Sequence, residues 1–490
     1  MIDNDLKEQK LLQRLLKEKA RPKPKLYLWY MIFILTLIYI VDEVATNLPN
    51  SLETEINLFL NVWPKGSQFG VNAISSIIYN GSWNIKDVFD EVTTLAANGL
   101  SSIGLIKLIA NATLVASMFY RPLADKYGRK LFLFVNTLGM AAALLIMFTA
   151  SNLIVYTIGF FALRFFVTPD QQIIYLYEIA PEKMRGTLLS LTKGIAEFGL
   201  IFIWLLRKLF LSQTEFESYK KIFFVVAVAA FVVAFIALFF SRESDIFLDS
   251  RIEYLQKTKE EREKEKIEHD ASKAQGGFIS AIKYGLKNKQ LRWILIATAI
   301  VEIGYSCCNS YSNVLTNGVF GVGGLNQLEA TDVTFWFPFS CALLTLIYGF
   351  ISDKIGRKKI MFILLTLATM GFIVEFIALY YALPKVIIGL ALGIVLGADW
   401  ALGDVLALMA GESCTTNLRS SIMSVWSLFF GFGMLSSMAI TAILPKVLGL
   451  ANLSIGYFLV AVPGWIIGSI ILSVKVKETA GADLYTVGKE

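Results

Sequence analysis

The sequence predicts an all-α membrane protein in which twelve transmembrane helices form two pseudo-symmetric six-helix halves. The 490-residue chain is 56% apolar and has a mean hydropathy of +0.60. It therefore has too little polar surface to cover a soluble globule of this size. It contains about a dozen apolar stretches of about 20 residues, the length with which a helix crosses about 30 Å of hydrocarbon. A six-residue basic motif occurs once in each half.

The apolar stretches are long and continuous, which distinguishes them from the strands of a membrane barrel. Barrel strands have about ten residues of alternating polarity. We number the expected spans 1 to 12 in chain order. They lie near residues 26–48, 99–120, 131–150, 153–177, 187–210, 221–241, 291–316, 332–351, 359–382, 386–410, 418–444 and 452–475.

The spans divide the chain into six-helix halves at residues 26–241 and 286–475. Residues 1–25 form an N-terminal segment, 242–285 a charged linker and 476–490 a tail. The linker is expected to be a solvated helix or a simple connector. Residues 49–98 are expected to form a long extracellular loop, which either caps the outer mouth or is disordered.

Basic residues are concentrated in alternate loops, which sets the expected orientation. They cluster in 7–25, 121–130, 183–185, 242–289 and 354–359. Under the positive-inside rule these loops are cytoplasmic, as are both termini. The expected location is the plasma or inner membrane. Residues 1–25 are charged and the apolar run from Leu26 to Leu48 is long enough to remain in the bilayer, so no cleavable signal is expected. The net charge of +6 follows from this loop distribution and does not indicate nucleic-acid binding.

Residue spacing indicates that the halves are duplicates. The motif D-K-Y-G-R-K at residues 125–130 recurs 228 positions later as D-K-I-G-R-K at 353–358. Two further sets follow in the same order. Glu178 and Arg185 recur 234 positions later as Glu412 and Arg419, and Glu243 recurs 235 positions later as Glu478. Duplicated halves with a site between them are a recurrent plan among secondary carriers.

The duplicated loops resemble the signature G-x-x-x-D-K/R-x-G-R-K/R of the major facilitator superfamily. The second copy is complete from Gly349 to Lys358, whereas the first has Arg121 at the leading glycine position. The run Tyr177-Glu178-Ile179-Ala180-Pro181 before Arg185-Gly186 resembles the motif after span 4 in the sugar porter and organic ion (metabolite:proton symporter) branches. The resemblance implies the major facilitator fold, and ion pairs that latch the two halves at the cytoplasmic side in the outward-open state. The implied gate residues are Asp125, Arg129, Glu178, Arg185, Asp353, Arg357, Glu412 and Arg419.

Ionisable residues within the spans are the candidates for coupling, because charge at bilayer depth is costly and persists mainly beside a cavity or a partner. Asp42 and Glu43 lie about 24 Å along span 1, and Arg164 lies about 21 Å from the inner end of span 4. In proton-coupled sugar porters a span-1 aspartate lies beside a span-4 arginine, and the resemblance implies that role for Asp42 and Arg164. The alternatives are a structural ion pair and an Asp42 near the outer mouth.

Two acids at equivalent repeat positions indicate a substrate cavity. Asp170 and Asp404 each precede the gate glutamate of their half by eight residues, near the bilayer centre. Facing the cavity, they would favour a cationic or hydroxyl-rich solute; hydrogen bonding to a neighbouring helix is the alternative. The other expected cavity residues are Asp399 and Trp400 on span 10 and the polar stripe Glu302, Ser306, Asn309 and Asn313 on span 7. Lys193 and Glu197 on span 5 are expected to form an internal ion pair.

These observations predict a secondary active transporter, with proton-coupled symport of a small polar metabolite as the leading hypothesis. An uncoupled sugar or organic cation facilitator remains open, because sugar porters carry a glutamine pair on span 7 where this chain has Glu302-Ile303. A membrane nutrient sensor on a carrier scaffold is the alternative from another class. We expect the chain to function as a monomer in the lipid bilayer. No enzyme activity, cofactor or metal is expected, since the four cysteines lack metal-ligand spacing and the single histidine lies in the linker.

Overall fold

The computed structural model describes residues 2–23, 25–113, 116, 120, 123–167, 171–181, 185–258, 260–261, 278–309, 315, 325–414 and 419–479. Within them all regular secondary structure is helical, so the all-α prediction is confirmed. Spans 1 to 6 are Tyr27–Ser51, Lys86–Ala110, Arg129–Thr149, Leu153–Val167 with Gln171–Ile179, Arg185–Phe198 with Ile201–Phe210, and Lys220–Phe240. Spans 7 to 12 are Lys289–Asn309, Gln327–Ile355, Arg357–Tyr380, Lys385–Glu412, Arg419–Leu448 and Leu453–Lys475.

Ten helices in the described ranges are long and apolar enough to cross a bilayer. They correspond to spans 1–3, 5, 6 and 8–12. The described parts of span 4 are the shorter apolar helix Leu153–Val167 and Gln171–Ile179. The described part of the span 7 helix is Lys289–Asn309. We call the end of the bundle that holds Ser51, Phe210 and Gln327 the outer end, following the predicted topology.

Residues 53–80, expected to be a loop, are folded. They form Glu53–Asn57, a π-helical turn Leu58–Val62, Trp63–Gly66, a 3-10 turn Ser67–Phe69 and Val71–Asn80. Leu52, Ile56 and Val62 are fully buried. Span 2 begins at Lys86, thirteen residues before the predicted start at 99. Hydropathy misses this region because acids and asparagines interrupt its apolar residues. The partners of Glu53, Glu55 and Asn57 lie in spans 2 and 5.

The two halves contact each other through spans 2 and 11 and through spans 5 and 8. These pairs are equivalent under the internal repeat. Both depend on a glycine: a Cβ atom at Gly104 would lie 2.7 Å from the Ala442 Cα, and one at Gly194 would lie 2.6 Å from the Leu346 Cγ. Small residues at such contacts let membrane helices approach closely.

The contact between spans 5 and 8 continues to the outer end. The ring centroids of Trp204 and Phe335 lie 4.8 Å apart. Arg207 Nε donates to Thr331 Oγ1 at 3.1 Å, and Lys208 Nζ lies 2.7 Å from Asp332 Oδ1. The two halves are therefore in contact at the outer end in this conformation.

At the opposite end, the helix Ile2–Ala20 packs against the linker helix Asp245–Gln256. Leu12 and Leu15 lie on the apolar cluster of Phe247, Leu248 and Ile252. Arg242 donates to the backbone carbonyls of Pro22 and Glu18, at 2.6 and 3.3 Å. The first part of the linker is therefore a docked helix, and it shares one face of the bundle with the N-terminal segment.

Gly104→Ala should destabilise the protein, because the added methyl group would meet the Ala442 backbone and overpacking costs about 1–3 kcal/mol. Gly403→Ala on span 10 is the matched control, since its Cβ would lie 3.7 Å from the nearest atom, Phe430 Cε2. Thermal unfolding of the purified protein in detergent should show a lower midpoint for Gly104→Ala only. Equal midpoints for the two variants would contradict the close contact between the halves.

Candidate functional site

The duplicated motifs form two equivalent networks at the inner end. In the first, Arg129 Nε lies 2.9 Å from Glu178 Oε1, and Glu243 Oε1 accepts from the Arg129 backbone N–H at 2.8 Å. In the second, Arg357 Nε lies 3.3 Å from Glu412 Oε1. There, Glu478 Oε1 accepts from the Arg357 backbone N–H at 2.9 Å. The two networks therefore make the same arginine–glutamate and backbone-to-glutamate contacts through the same atoms.

Gly128 and Gly356 give each network its shape. They have φ values of +109° and +96°, a region that residues with a side chain rarely adopt. A Cβ at Gly128 would lie 2.3 Å from Glu243 Oε2, and one at Gly356 would lie 2.6 Å from Glu478 Oε2. Only glycine therefore permits the carboxylate to cap the next helix.

The described contacts of each network stay within one half and coexist with the closed outer end. Arg129 and Glu178 belong to spans 3 and 4, and Arg357 and Glu412 to spans 9 and 10. The side chains of Asp125, Arg185, Asp353 and Arg419 lie outside the described part of the structure. A latch between the halves in an outward-open state stays a prediction from the resemblance.

Burial raises the pKa of Glu243 to about 7. Hydrogen bonds from the backbone N–H groups of Arg129, Ser244 and Lys130 lower this pKa, but the effect of burial is larger. The nearby Glu178 carboxylate raises it further. Folding thus favours the protonated form of Glu243. This contribution to stability is fully present below the ordinary value of 4.5 and is lost as the pH rises through about 7.

Asp42 and Arg164 have partners from neighbouring spans of the N-terminal half. Asp42 is 5% exposed, and its Oδ2 accepts from Gln172 Nε2 of span 4 at 2.8 Å. Arg164 Nη2 donates to Asn111 Oδ1 at 3.1 Å, and Asn111 Nδ2 lies 2.8 Å from the Met438 sulfur of span 11. Asn111 therefore joins Arg164 to the other half. The direct pairing of Asp42 with Arg164 stays a prediction.

Lys193 forms an ion pair between the halves, in addition to the electrostatic interaction with Glu197 that the sequence suggests. Its Nζ lies 2.9 and 3.2 Å from the two Asp404 carboxylate oxygens. Tyr348 of span 8 also donates to Asp404 Oδ2. The Lys193 and Asp404 side chains are 16% and 36% exposed. Asp404 thus joins spans 5, 8 and 10.

Glu197 lies one helical turn from Lys193 and is buried. Its Oε2 lies 3.6 Å from Cys341 Sγ of span 8, and it interacts electrostatically with Lys193 and with Glu43 of span 1. Glu43 Oε2 accepts from Asn47 Nδ2 at 3.3 Å. In the described part of the chain, the boundary between the halves therefore carries acids from both sides, with Lys193 among them.

Asp399 and Glu302 lie inside the C-terminal half, each 2% exposed, and interact electrostatically. The Trp465 indole of span 12 lies beside Asp399, and Glu302 Cβ faces Gly433 of span 11. Trp400 is half-buried. The remaining cavity candidates are not described: Asp170 and Asn313 lie outside the described residues, as do the side chains of Ser306 and Asn309.

Sequence reasoning missed an outer polar layer that ties residues 53–57 to the bundle. Lys107 Nζ lies 2.9 Å from Glu53 Oε1, and Arg207 Nη2 lies 3.2 Å from Glu55 Oε1. All four side chains are nearly or completely buried. The sequence does contain a pattern that could have predicted this layer: acids in the expected loop and cations within spans 2 and 5. A separate groove of about 490 Å³, lined by residues including Trp204 and Lys385, lies at the outer end, away from Asp404.

Glu243→Gln should flatten the pH dependence of stability, because glutamine keeps the hydrogen-bond acceptor but does not ionise. The wild-type thermal midpoint should fall more steeply than that of the variant between pH 5 and pH 8. Glu253→Gln, an exposed position on the linker helix, is the control and should keep the wild-type profile. Parallel profiles for wild type and Glu243→Gln would exclude Glu243 as the titrating group.

Comparison with known proteins agrees with this architecture. Residues 69–490 match the family model described as Sugar (and other) transporter. The glucose transporter GlcP of Staphylococcus epidermidis is 26% identical over 338 residues, covering 64% of this chain and 72% of that protein. A D-xylose–proton symporter structure aligns with a TM-score of 0.62 at 16% identity, over 93% of this chain and 99% of that one. A structure of the nucleoside transporter NupG, carrying a single substitution, aligns with a TM-score of 0.58 at 13% identity, over 91% and 100%. The family prediction is thus confirmed: the chain belongs to the Sugar (and other) transporter family and has the fold of the major facilitator superfamily.

Proposed function

We propose that this protein is a proton-coupled symporter of a neutral, sugar-like solute that works by alternating access. Membership of the transporter family supports secondary transport across a membrane. The glucose and xylose transporters among its relatives support a sugar as the solute. Proton coupling rests on the residues described above.

The observation that carries the coupling proposal is the buried Asp42 carboxylate at the interface of spans 1 and 4. Its hydrogen bond from Gln172 requires an acceptor oxygen, which the ionised carboxylate supplies. A proton on Asp42 would give the group a donor of its own and remove its charge. A neutral carboxyl is a weaker acceptor than a carboxylate, so protonation would loosen the hold on the Gln172 amide and let it turn toward a solute hydroxyl. Protonation and solute binding would then favour each other.

Arg164 supplies a cation in the same half. Its link through Asn111 to Met438 reaches span 11 of the other half. Loss of the Asp42 charge would change the field at Arg164, and thereby the contact between spans 2 and 11. We assign proton coupling to Asp42 and Arg164 on this ground, with Glu43 as the adjacent acid on span 1.

The proposed solute is neutral because Lys193 already balances the charge of Asp404. A cationic solute would have to displace this lysine, whereas a sugar hydroxyl can add to the existing cluster. Tyr348, Gln172 and Asn111 supply donors and acceptors suited to hydroxyl groups. Asp170, Asp399, Trp400, Glu302, Ser306, Asn309 and Asn313 remain proposed cavity residues.

We further infer that both termini face the cytoplasm. The basic inner loops support this orientation under the positive-inside rule. The docking of the N-terminal helix on the linker helix supports placing both on the same side of the membrane.

Asp42→Asn should abolish proton-driven accumulation while leaving exchange intact, because asparagine cannot bind and release the proton. The test is uptake of radiolabelled D-xylose and D-glucose into proteoliposomes with an imposed inward pH difference of about 1.5 units. With one proton per sugar, this gradient supports up to about 30-fold accumulation. Wild type should accumulate one of these sugars, and the variant should only equilibrate it. Asp87→Asn, an exposed site outside the cluster, is the control and should behave as wild type.

Each alternative gives a different outcome in this assay. Accumulation by Asp42→Asn equal to that of wild type would remove Asp42 from coupling. Equilibration without accumulation by wild type would favour an uncoupled facilitator. Sugar-dependent thermal stabilisation without any uptake or exchange would favour a sensor.

A further inference from the structure

The contact between spans 5 and 8 places four polar groups where the halves meet. Lys193 and Glu197 belong to span 5, one helical turn apart, whereas Cys341 and Asp404 belong to spans 8 and 10. Lys193 is paired with Asp404 across the interface, and Glu197 accepts from Cys341 across the same interface. Two polar contacts between the halves thus occur side by side.

Both contacts break if span 5 moves away from span 8 when the outer end opens. Lys193 and Glu197 lie on the same span as Trp204, Arg207 and Lys208, which hold the outer end closed against span 8. Moving span 5 away from span 8 separates Lys193 from Asp404 and Glu197 from Cys341. Charges left unpaired at this depth would make such a state inaccessible.

The arrangement supplies replacement partners within each half. Lys193 and Glu197 are spaced i, i+4 on one helix, a spacing at which oppositely charged side chains meet. They already interact electrostatically in the closed arrangement. On the other side, Asp404 keeps the hydroxyl of Tyr348, which belongs to its own half and moves with it.

We propose that Lys193 is a positioning residue of the transport cycle that exchanges partners. It pairs with Asp404 when the outer end is closed and with Glu197 when the outer end is open. The exchange keeps the lysine and both carboxylates partnered in each state, so the halves can separate without exposing a bare charge. This inference rests on the proposed carrier function.

Substitutions of Asp404, Glu197 and Tyr348 should shift the resting equilibrium between the outer-open and outer-closed states in different directions. Asp404→Asn removes the closed-state partner and should favour the outer-open state. Glu197→Gln removes the open-state partner of Lys193. Tyr348→Phe removes the hydroxyl that would still partner Asp404 after Lys193 has left. These two variants should favour the outer-closed state. If the pair were merely structural, all three losses would loosen the same interface.

The measurement is amide hydrogen exchange of the full-length protein in lipid nanodiscs without solute, read on peptides covering residues 201–210 and 327–340. Exchange should be about tenfold faster than wild type in Asp404→Asn and about tenfold slower in the other two variants, the usual size of a conformational coupling. Glu375→Gln, a buried acid on span 9, is the matched control and should leave these peptides unchanged.

Faster exchange in Glu197→Gln or Tyr348→Phe, or no acceleration in Asp404→Asn, would overturn the proposal. If Glu197→Gln or Tyr348→Phe fails to fold, the remaining variant of the two and Asp404→Asn must still change the exchange rate in opposite directions. If Asp404→Asn fails to fold, Glu197→Gln and Tyr348→Phe must both slow exchange. The readout needs no transported solute. A wrong sugar assignment or absent proton coupling would therefore leave the exchange pattern intact, and failure of the two proposals can be told apart.

Discussion

The constraint on which this structure depends is the cost of a charge in a medium with little water. A charged side chain at bilayer depth is stable only with a partner or beside a wet cavity. Three described ion pairs follow this rule across long sequence separations: Lys107 with Glu53, Arg207 with Glu55, and Lys193 with Asp404. Each pair joins elements that hydropathy alone leaves unrelated. These ion pairs therefore add specific links between distant segments to the apolar packing of the spans.

The same constraint explains why the two halves can move. Pairs within a half, such as Arg129 with Glu178 and Arg357 with Glu412, can persist through a rigid-body motion. Pairs between the halves cannot, so they need alternatives close by. The glycines at Gly104 and Gly194 let the halves approach closely, and the partly exposed Lys193–Asp404 pair lies between the same halves. The residues that hold the two halves together are thus also those whose contacts must change when the halves move.

Sequence predicted the repeated elements well because they are local. The twelve-span plan and the two loop motifs depend on hydropathy, glycine at positive φ and residues a few positions apart. The folding of residues 53–80 and the partner of Lys193 were not predictable in this way. Glu197 satisfies the i, i+4 rule for Lys193, yet the structure also pairs this lysine with Asp404, which lies 211 positions away. Only the packing of span 5 against the other half brings the two together.

Whether sugar entry carries protons is the most direct test of the proposed symport. Wild-type proteoliposomes containing a pH-sensitive dye, with equal pH on both sides and a clamped membrane potential, would receive an inward gradient of the sugar that they accumulate. Symport predicts acidification of the lumen with about one proton per sugar, the stoichiometry of a single titrating carboxylate. Sugar entry at an unchanged lumenal pH would contradict it.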